Sequence, residues 1–286
     1  MRRSRAVSFI FITIVYIIAT LVGWATYVWM PFSFWVNLLF ADITATVITF
    51  VFSVVFENAS VYDPYWSVQP IVIGVGFAWS GTVTLAGWML LSVVTVWGIR
   101  LTANWAYTFY GLEHQDWRYT LLQKKTGKFY PLINFIGIHI VPTLVVYACI
   151  LPLVFVLKYG AKLNALSVLF AICSLLAVVL QGVSDVQMHR FRKAKREGKA
   201  DGFIRVGFWK YARHPNYLGE IIMWWGIALS VWALLPQRWY LLIGAVCNTL
   251  LFIFVSIPLA EGKQSKKDGF EEYKRQTRVL FPIVKR

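Results

Sequence analysis

The chain has 286 residues, of which 58% are hydrophobic and only 14% are charged, and its mean hydropathy is +0.61. Soluble domains carry roughly 25% charged residues, and a chain of this length cannot bury so much apolar surface in a water-soluble core. The composition therefore excludes a disordered chain, a soluble enzyme and a nucleic-acid-binding basic domain, despite a net charge of +15. It predicts an all-α integral membrane protein.

Runs of about 20 mostly apolar residues indicate transmembrane helices, and the sequence predicts a bundle of seven or eight of them. The predicted spans, in chain order, are 6–29, 33–56, 68–80, 82–105, 132–157, 163–186, 216–235 and 239–259. The third is short, and it is either tilted or one arm of a helical hairpin with the fourth. The first lacks a small-residue cleavage site, which favours an anchor over a cleaved signal peptide. We expect residues 1–286 to form a single transmembrane domain.

Basic residues concentrate on one side of this predicted topology. With the N-terminus in the cytoplasm and eight alternating spans, the cytoplasmic segments carry 24 Lys and Arg residues, and the opposite side carries three. This positive-inside asymmetry places both termini, the cytoplasmic loop 187–215 and the tail 260–286 on the cytoplasmic side. We expect the tail to pack under the helices, because Phe270, Tyr273 and the run 280–282 give it an apolar face.

The three cysteines lie inside apolar runs, without the spacing of metal ligands. They are Cys149, Cys173 and Cys247. We interpret them as small buried residues and expect no metal site.

Several polar residues lie at or near membrane depth, where each is costly if it faces lipid. They are Asp42, Arg100, Asn104, Gln181, Asp185, His189, Asn216 and Glu220. Two interpretations stay open: interhelical pairs, such as Arg100 with Asp185 or Glu220, or a polar pocket that opens to the cytoplasm. Most of these residues lie at the cytoplasmic ends of the fourth, sixth and seventh spans, which favours the pocket.

The densest polar segment is 185–220. Pro215 favours the start of a helix, and Arg213, His214 and Asn216 place donors around that positive helix end. Such an arrangement suits a phosphate or a carboxylate, and neighbouring aromatic residues suit a planar ring. The residues therefore predict a cytoplasmic anionic ligand with an aromatic part, a class that includes nucleotide cofactors. The basic residues directly after the sixth span also fit an ordinary flank that binds anionic membrane lipids.

Four stretches carry a family resemblance. The run from Gly207 to Gly226, which contains Ala-Arg-His-Pro-Asn-Tyr-Leu-Gly-Glu, closely resembles the C-terminal signature of the steroid 5-alpha-reductase superfamily. Residues 62–67 (Tyr-Asp-Pro-Tyr-Trp-Ser), 113–119 (Glu-His-Gln-Asp-Trp-Arg-Tyr) and 272–282 resemble motifs of a bacterial branch of membrane proteins in that superfamily. The resemblance covers residues 40–286, so that residues 1–31 look like an extra N-terminal helix. It implies the bacterial cytoplasmic membrane, or the endoplasmic reticulum in a eukaryote.

The resemblance implies an NADPH-dependent reduction of a carbon–carbon double bond in a lipid or steroid-like substrate. Carried over by position, the cofactor-binding residues are Arg100, Gln181, Asp185, Arg192, Tyr211, Arg213, His214, Asn216 and Glu220. The tyrosine that polarises the substrate in the steroid enzymes aligns with Trp97, and no Gln-Glu pair matches theirs. We therefore expect the acid among Tyr62, Asp63 and Tyr65, with Trp66 and Trp97 lining the substrate site. Asp63 also suits an N-cap of the third helix, with Pro64 at its first position.

Two other functions stay open. Isoprenylcysteine carboxyl methyltransferases share an Arg-His-Pro-x-Tyr motif and a similar tail, but they bind S-adenosylmethionine. The element from Ser184 to Arg192, together with Asn216 and Glu220, resembles the reductases instead. A lipid-binding or transport protein is the third possibility, although the sequence shows neither the inverted repeat nor the paired broken helices typical of transporters.

Overall fold

The computed structural model describes residues 4–281. Arg2, Arg3, Pro282, Lys285 and Arg286, which entered the predictions of orientation and tail packing, lie outside these residues. The protein is all-α: within residues 4–281 there is no β-strand, and a single parallel bridge joins Ala212 to Arg278.

Twelve α-helices form the described part of the chain. They are α1 (Arg5–Trp29), α2 (Phe34–Val55), α3 (Tyr65–Trp79), α4 (Leu85–Thr108), α5 (Trp117–Thr126), α6 (Tyr130–Ile133), α7 (Val141–Tyr159), α8 (Ala165–Arg196), α9 (Pro215–Leu234), α10 (Ile243–Leu251), α11 (Ile257–Gln264) and α12 (Phe270–Gln276). Two π-helical stretches, Asn134–Ile140 and Phe252–Ser256, join α6 to α7 and α10 to α11. Short 3₁₀ turns cover Ala59–Val61, Gly127–Phe129, Gly207–Lys210 and Pro236–Leu242.

Between residues 4 and 281, seven helical segments are long and apolar enough to cross a membrane, which makes this an integral multi-pass membrane protein. They are Arg5–Trp29, Phe34–Val55, Leu85–Thr108, Trp117–Tyr159, Ala165–Arg196, Pro215–Leu234 and Pro236–Gln264. The predicted third span is the exception. Its helix α3 has 15 residues, or about 22 Å at 1.5 Å per residue, against a hydrocarbon core of about 30 Å. The prediction of both termini in the cytoplasm requires an even number of crossings, and it stays a prediction.

The described chain divides into two compact units. Unit 1 runs up to Val83 and resumes over Trp97–Tyr159, so it holds α1–α3, the second half of α4 and α5–α7. Its first two helices are held at their turn by Asn37, whose amide nitrogen donates to the carbonyls of Tyr27 and Met30 at 3.2 and 2.7 Å. The single-domain prediction stays a prediction.

Unit 2 comprises Thr84–Val96 and the chain from Gly160 onward. Its helices α8 and α9 pack closely because glycines on α9 admit the backbone of α8: a Cβ at Gly226 would lie 2.8 Å from the Phe170 carbonyl oxygen. The Ser174 hydroxyl donates across the same interface to the Met223 carbonyl at 3.0 Å. Small residues are the usual means of close helix packing in a bilayer.

The C-terminal tail, itself part of unit 2, is packed against its neighbours, as predicted. Phe270 and Tyr273 are buried with Phe203 in a small aromatic cluster. The Tyr273 hydroxyl donates to the carbonyl of Trp209. Phe281, which was also predicted to face inward, is 63% exposed, because the chain has left this cluster by the end of the described residues.

Candidate functional site

Unit 2 contains a basic cleft of about 1090 Å³. It lies between the last turns of α8, the 200–206 loop and the 266–268 turn before α12, and its charged lining residues are Arg190, Arg205, Lys266, Lys267, Asp201 and Asp268. Cations thus outnumber carboxylates in a space large enough for a nucleotide, since ligand pockets are typically about 300–1,000 Å³. The predicted anionic-ligand segment and the tail both contribute to this cleft.

The positive charges crowd one another in the cleft. Burial, together with the neighbouring charges of Lys195 and Arg192, holds the pKa of Lys267 below its ordinary value. An arriving anion relieves this repulsion and gains charge-assisted hydrogen bonds. Gln187 orders one wall, because its side-chain oxygen accepts from the Phe208 amide at 3.0 Å.

Arg213 and His214, two predicted cofactor ligands, are buried and engaged within the protein. The Arg213 Nε donates to Glu261 Oε1 at 2.7 Å, and His214 Nε2 lies 3.2 Å from the same oxygen. The Arg213 Nη1 also donates to the carbonyls of Lys274 and Thr277. Both residues therefore tie the signature loop to the tail, and their direct contact with a cofactor stays a prediction.

The other predicted ligands of unit 2 have varied surroundings. Asn216 lies in the first turn of α9, which begins at Pro215 as predicted. Its Oδ1 is shielded from solvent and has no hydrogen-bond partner among residues 4–281. Gln181 is buried against Gly219, and the Trp224 indole donates to Glu220 Oε1 at 3.0 Å.

Three further predicted ligands are more accessible. Asp185 is half-buried near the end of α8, while Arg192 and Tyr211 are exposed. The predicted cluster of Arg100 with Asp185 and Glu220 stays a prediction. In the described part of the chain, no group of three or more His, Cys, Asp or Glu residues could hold a metal ion.

Unit 1 contains two polar stripes that face each other, and their residues are buried except for Tyr130, which is half-buried. On α2 the stripe is Asp42, Thr46, Thr49 and Ser53, whose spacing of three or four residues places them on one helix face. On the helical segment Trp117–Tyr159, which includes α5, α6 and α7, the second stripe consists of Tyr130, Asn134, His139 and Thr143. The hydroxyls of Thr46 and Thr143 lie 3.0 Å apart, and the Asn134 amide nitrogen donates to the Ser53 hydroxyl at 3.3 Å.

Two predicted catalytic residues, Tyr62 and Tyr65, belong to this polar interior. Tyr65 donates its hydroxyl to Asp42 Oδ1 at 3.0 Å, and Gln69 donates to Asp42 Oδ2 at 2.6 Å. The Tyr62 hydroxyl lies 2.8 Å from Thr143 Oγ1. Both tyrosines are buried, and their rings are 5.4 Å apart. The structure therefore brings together two of the predicted acids and adds Asp42.

Asp63 does not cap α3, which corrects one of its two predicted roles. The helix begins at Tyr65, and Pro64 occupies the N-cap position without a side-chain cap bond. The Asp63 carboxylate instead accepts from the Tyr119 hydroxyl at 2.5 Å and from Arg118 at 3.4 Å. Burial raises the pKa of Asp63 to about 6, against the opposing effect of Arg118. The carboxyl thus links the turn before α3 to the first turn of α5 within unit 1.

The two predicted substrate residues also lie in different surroundings. Trp97 is fully buried, and Trp66 is half-buried in the first turn of α3. Arg100, one turn after Trp97 on α4, is half-buried.

Sequence reasoning missed three groups of residues. Glu261 is the carboxylate shared by Arg213 and His214. In the sequence it is distinguished only as an acidic residue at the end of an apolar span. In the sequence, Arg205 is distinguished only by its position in a basic loop, and Lys267 only by its position in a basic tail. Asn134, His139 and Thr143 lie in or beside a π-helix, whose extra residue per turn shifts the polar spacing from four to five and hides the stripe from helical periodicity.

The described residues thus form a helical membrane protein that has a basic cleft in unit 2 and a buried polar core in unit 1. Comparison with known proteins gives the family: the chain belongs to the family described as "Protein of unknown function (DUF1295)", whose profile matches residues 49–277. This family is related to steroid 5-alpha-reductase.

Two relatives are similar to parts of the chain. "Uncharacterized protein C594.04c" of Schizosaccharomyces pombe is 25% identical over 215 residues, which are 67% of this chain and 62% of the yeast protein. "3-oxo-5-alpha-steroid 4-dehydrogenase 1" of Macaca fascicularis is 30% identical over 97 residues, which are 34% of each chain. The chain thus matches less than two thirds of the length of either relative.

Proposed function

We propose that this protein is an NADPH-dependent membrane oxidoreductase that reduces a carbon–carbon double bond in a lipid or steroid-like substrate. The observation that carries the proposal is the basic cleft of unit 2, built from the predicted anionic-ligand segment and the tail. The partial similarity to a steroid dehydrogenase supports the reaction class. We also propose the bacterial cytoplasmic membrane as its location, from the resemblance to the bacterial branch.

The residues of unit 2 fit a phosphate-rich dinucleotide. Arg190, Arg205 and Lys267 would bind its phosphates, because guanidinium and ammonium groups suit phosphate oxygens. Asn216, whose buried Oδ1 has no partner within the described residues, would accept from an amide or hydroxyl of the ligand. Arg192 and Tyr211 are exposed and do not line the cleft itself, and their contact with the cofactor is part of the proposal. NADPH, when bound, supplies a hydride to the electrophilic carbon of the alkene.

The role of Arg213 and His214 is to hold the cleft together. Both bind Glu261, and Arg213 also binds the backbone of the tail, so one buried ion pair fixes the loop and the tail against each other. A fixed tail keeps Lys266 and Lys267 in place to bind an anion. Preorganised cations lose less entropy on binding than mobile ones.

The proton for the second alkene carbon would come from the tyrosine pair of unit 1. Tyr65 is oriented by its bond to Asp42, and Tyr62 by its bond to Thr143. A tyrosine hydroxyl can both donate and accept, whereas the indole of Trp97 can only donate a hydrogen bond. We assign Asp63, bound to Tyr119 and Arg118, to holding the loops rather than to the proton transfer.

Binding of NADPH to the protein in lipid nanodiscs tests this proposal. We expect the triple variant Arg190→Gln, Arg205→Gln, Lys267→Gln to bind NADPH at least about tenfold more weakly, because three charge-assisted phosphate contacts are lost. Lys124→Gln with Lys125→Gln removes two charges from α5 of unit 1 and should leave NADPH affinity unchanged. Unchanged affinity in the triple variant, or binding of S-adenosylmethionine in place of NADPH, would contradict the proposal.

A further inference from the structure

Three residues on one helix face of unit 1 carry buried polar atoms that have no hydrogen-bond partner among residues 4–281. They are Tyr130 Oη, Asn134 Oδ1 and His139 Nε2. His139 is fully buried and Asn134 is 4% exposed, so solvent reaches neither side chain freely. Buried polar groups in native proteins are almost always satisfied, so three such atoms on one helix face indicate a bound partner, either ordered water or a polar group of a ligand.

The hydrogen-bonding role of two of these atoms is fixed by their neighbours. The Asn134 carbonyl oxygen, 2.9 Å from His139 Nδ1, can only accept, so Nδ1 carries a proton and Nε2 of the neutral ring is an acceptor. The Ser53 hydroxyl donates to the Phe50 carbonyl at 2.8 Å, so it must accept from the nitrogen of Asn134. That bond leaves Oδ1 of Asn134 as the second acceptor.

The third atom, the Tyr130 hydroxyl oxygen, can both donate and accept. A ligand hydroxyl can donate to one of the two fixed acceptors and accept from Tyr130, which leaves the other acceptor to an ordered water. A ketone or an ether can only accept, so either would leave both fixed acceptors unsatisfied.

Aromatic and aliphatic side chains also pack against the site. The His139 ring packs at 4.7 Å from the ring of Tyr62 and at 5.4 Å from that of Phe50. Tyr130 packs against the buried cluster that includes Ile138. Such walls exclude a charged head group, because a cation without a partner is costly at this burial.

We propose that the Tyr130–Asn134–His139 face of unit 1 binds the hydroxyl group of an otherwise apolar alcohol. The π-helix Asn134–Ile140 makes this site possible, because its wider turn brings Asn134 and His139, five residues apart, onto one face. The site adjoins Tyr62, one of the proposed proton donors, but it is built from unit 1 alone, and alcohol binding there needs no cofactor.

The test is equilibrium binding to the protein in nanodiscs, without nucleotide, of three saturated probes with one skeleton. The probes are tritiated cholestanol, cholestanone and the 3-methyl ether of cholestanol. We expect the alcohol to bind at least about tenfold more tightly than the ketone and the ether, because only it can donate. A saturated skeleton has no double bond to reduce, so the result stands whether or not the protein is a reductase.

The variants His139→Phe and Asn134→Leu should lower the affinity of the protein for the alcohol to its affinity for the ketone. Asn37→Leu is the matched control: it removes a buried asparagine of unit 1 whose hydrogen bonds are made within the protein, and it should keep the preference for the alcohol. Equal affinity of the native protein for all three probes would overturn the proposal and leave water as the partner of the acceptors. The comparison of the three probes uses only the native protein, so its outcome does not depend on whether any variant folds.

Discussion

Asp63 shows how one carboxyl can hold loops that are distant in sequence. Its carboxylate accepts hydrogen bonds from Tyr119 and Arg118, which lie more than 50 residues away in the sequence. The Asp63 side chain is 14% exposed. Burial outweighs the attraction of Arg118 and raises the pKa of Asp63 to about 6. The hydrogen bond from Tyr119, like the charge of Arg118, favours the ionised carboxylate, but burial outweighs both, and the folded state holds the proton of Asp63 more readily than the unfolded chain does.

This shift predicts a pH dependence of stability. The unfolded Asp63 has a pKa of about 3.9, so between pH 4 and pH 6 the folded state binds more protons and its stability falls as pH rises. Asp63→Asn removes the titration. We therefore expect the stability of the native protein relative to this variant to decrease from pH 4 to pH 7, as measured by thermal unfolding in detergent.

A control fixes the interpretation of that pH series. Asp201→Asn removes an exposed carboxylate and should leave the pH dependence of unfolding unchanged. A constant difference between the native protein and Asp63→Asn across this range would contradict the raised pKa.

At the scale of helices, the contact of α8 with α9 depends on glycine. A Cβ at Gly226 would lie against Ser174 and 2.8 Å from the Phe170 carbonyl oxygen, so Gly226→Ala must push the helices apart. We expect a loss of about 1–3 kcal/mol of stability, as for other overpacked sites. Gly76→Ala, on α3 with nothing within 4 Å of its Cβ, should be neutral or slightly stabilising in the same thermal unfolding assay.

The attachment of the tail depends on one carboxylate. Glu261→Gln leaves the buried Arg213 without its anion, which we expect to cost about 3 kcal/mol and to expose α12 to trypsin. Glu271→Gln changes an exposed carboxylate, 3.3 Å from Lys274, and should change neither stability nor digestion. Equal rates of tail cleavage in both variants would show that the ion pair does not hold the tail.

The sequence predicts the positions of the helices better than it predicts which side chains contact one another. Apolar runs placed the first, second, fourth and seventh predicted spans within three residues of their helices, and Pro215 marked the start of α9. The helix α8 continues ten residues beyond the predicted end at 186, because its last turns are polar and basic. The burial of Tyr62 and Tyr65 was not predictable, because it depends on a stripe of α2 that lies far away in sequence. Nor was the engagement of Arg213 with Glu261, since nothing in a basic loop indicates which guanidinium is buried.

At the scale of the whole molecule, charge and polarity are divided between the units. Unit 2 carries the basic cleft, and unit 1 carries the uncharged hydroxyl and amide stripes with Asp42 among them. The central claim, that the protein transfers a hydride from NADPH to a lipid, concerns the molecule as a whole.

The most direct test follows tritium from NADPH labelled at C4 of the nicotinamide into the lipid fraction. The purified protein in nanodiscs is incubated with the label and a lipid extract of its native membrane. We predict tritium in a lipid product, retained with Tyr147→Phe, which changes a buried tyrosine bonded to the Trp35 carbonyl, and strongly reduced with Tyr65→Phe. No transfer from NADPH, with transfer of label from methyl-tritiated S-adenosylmethionine, would contradict the account.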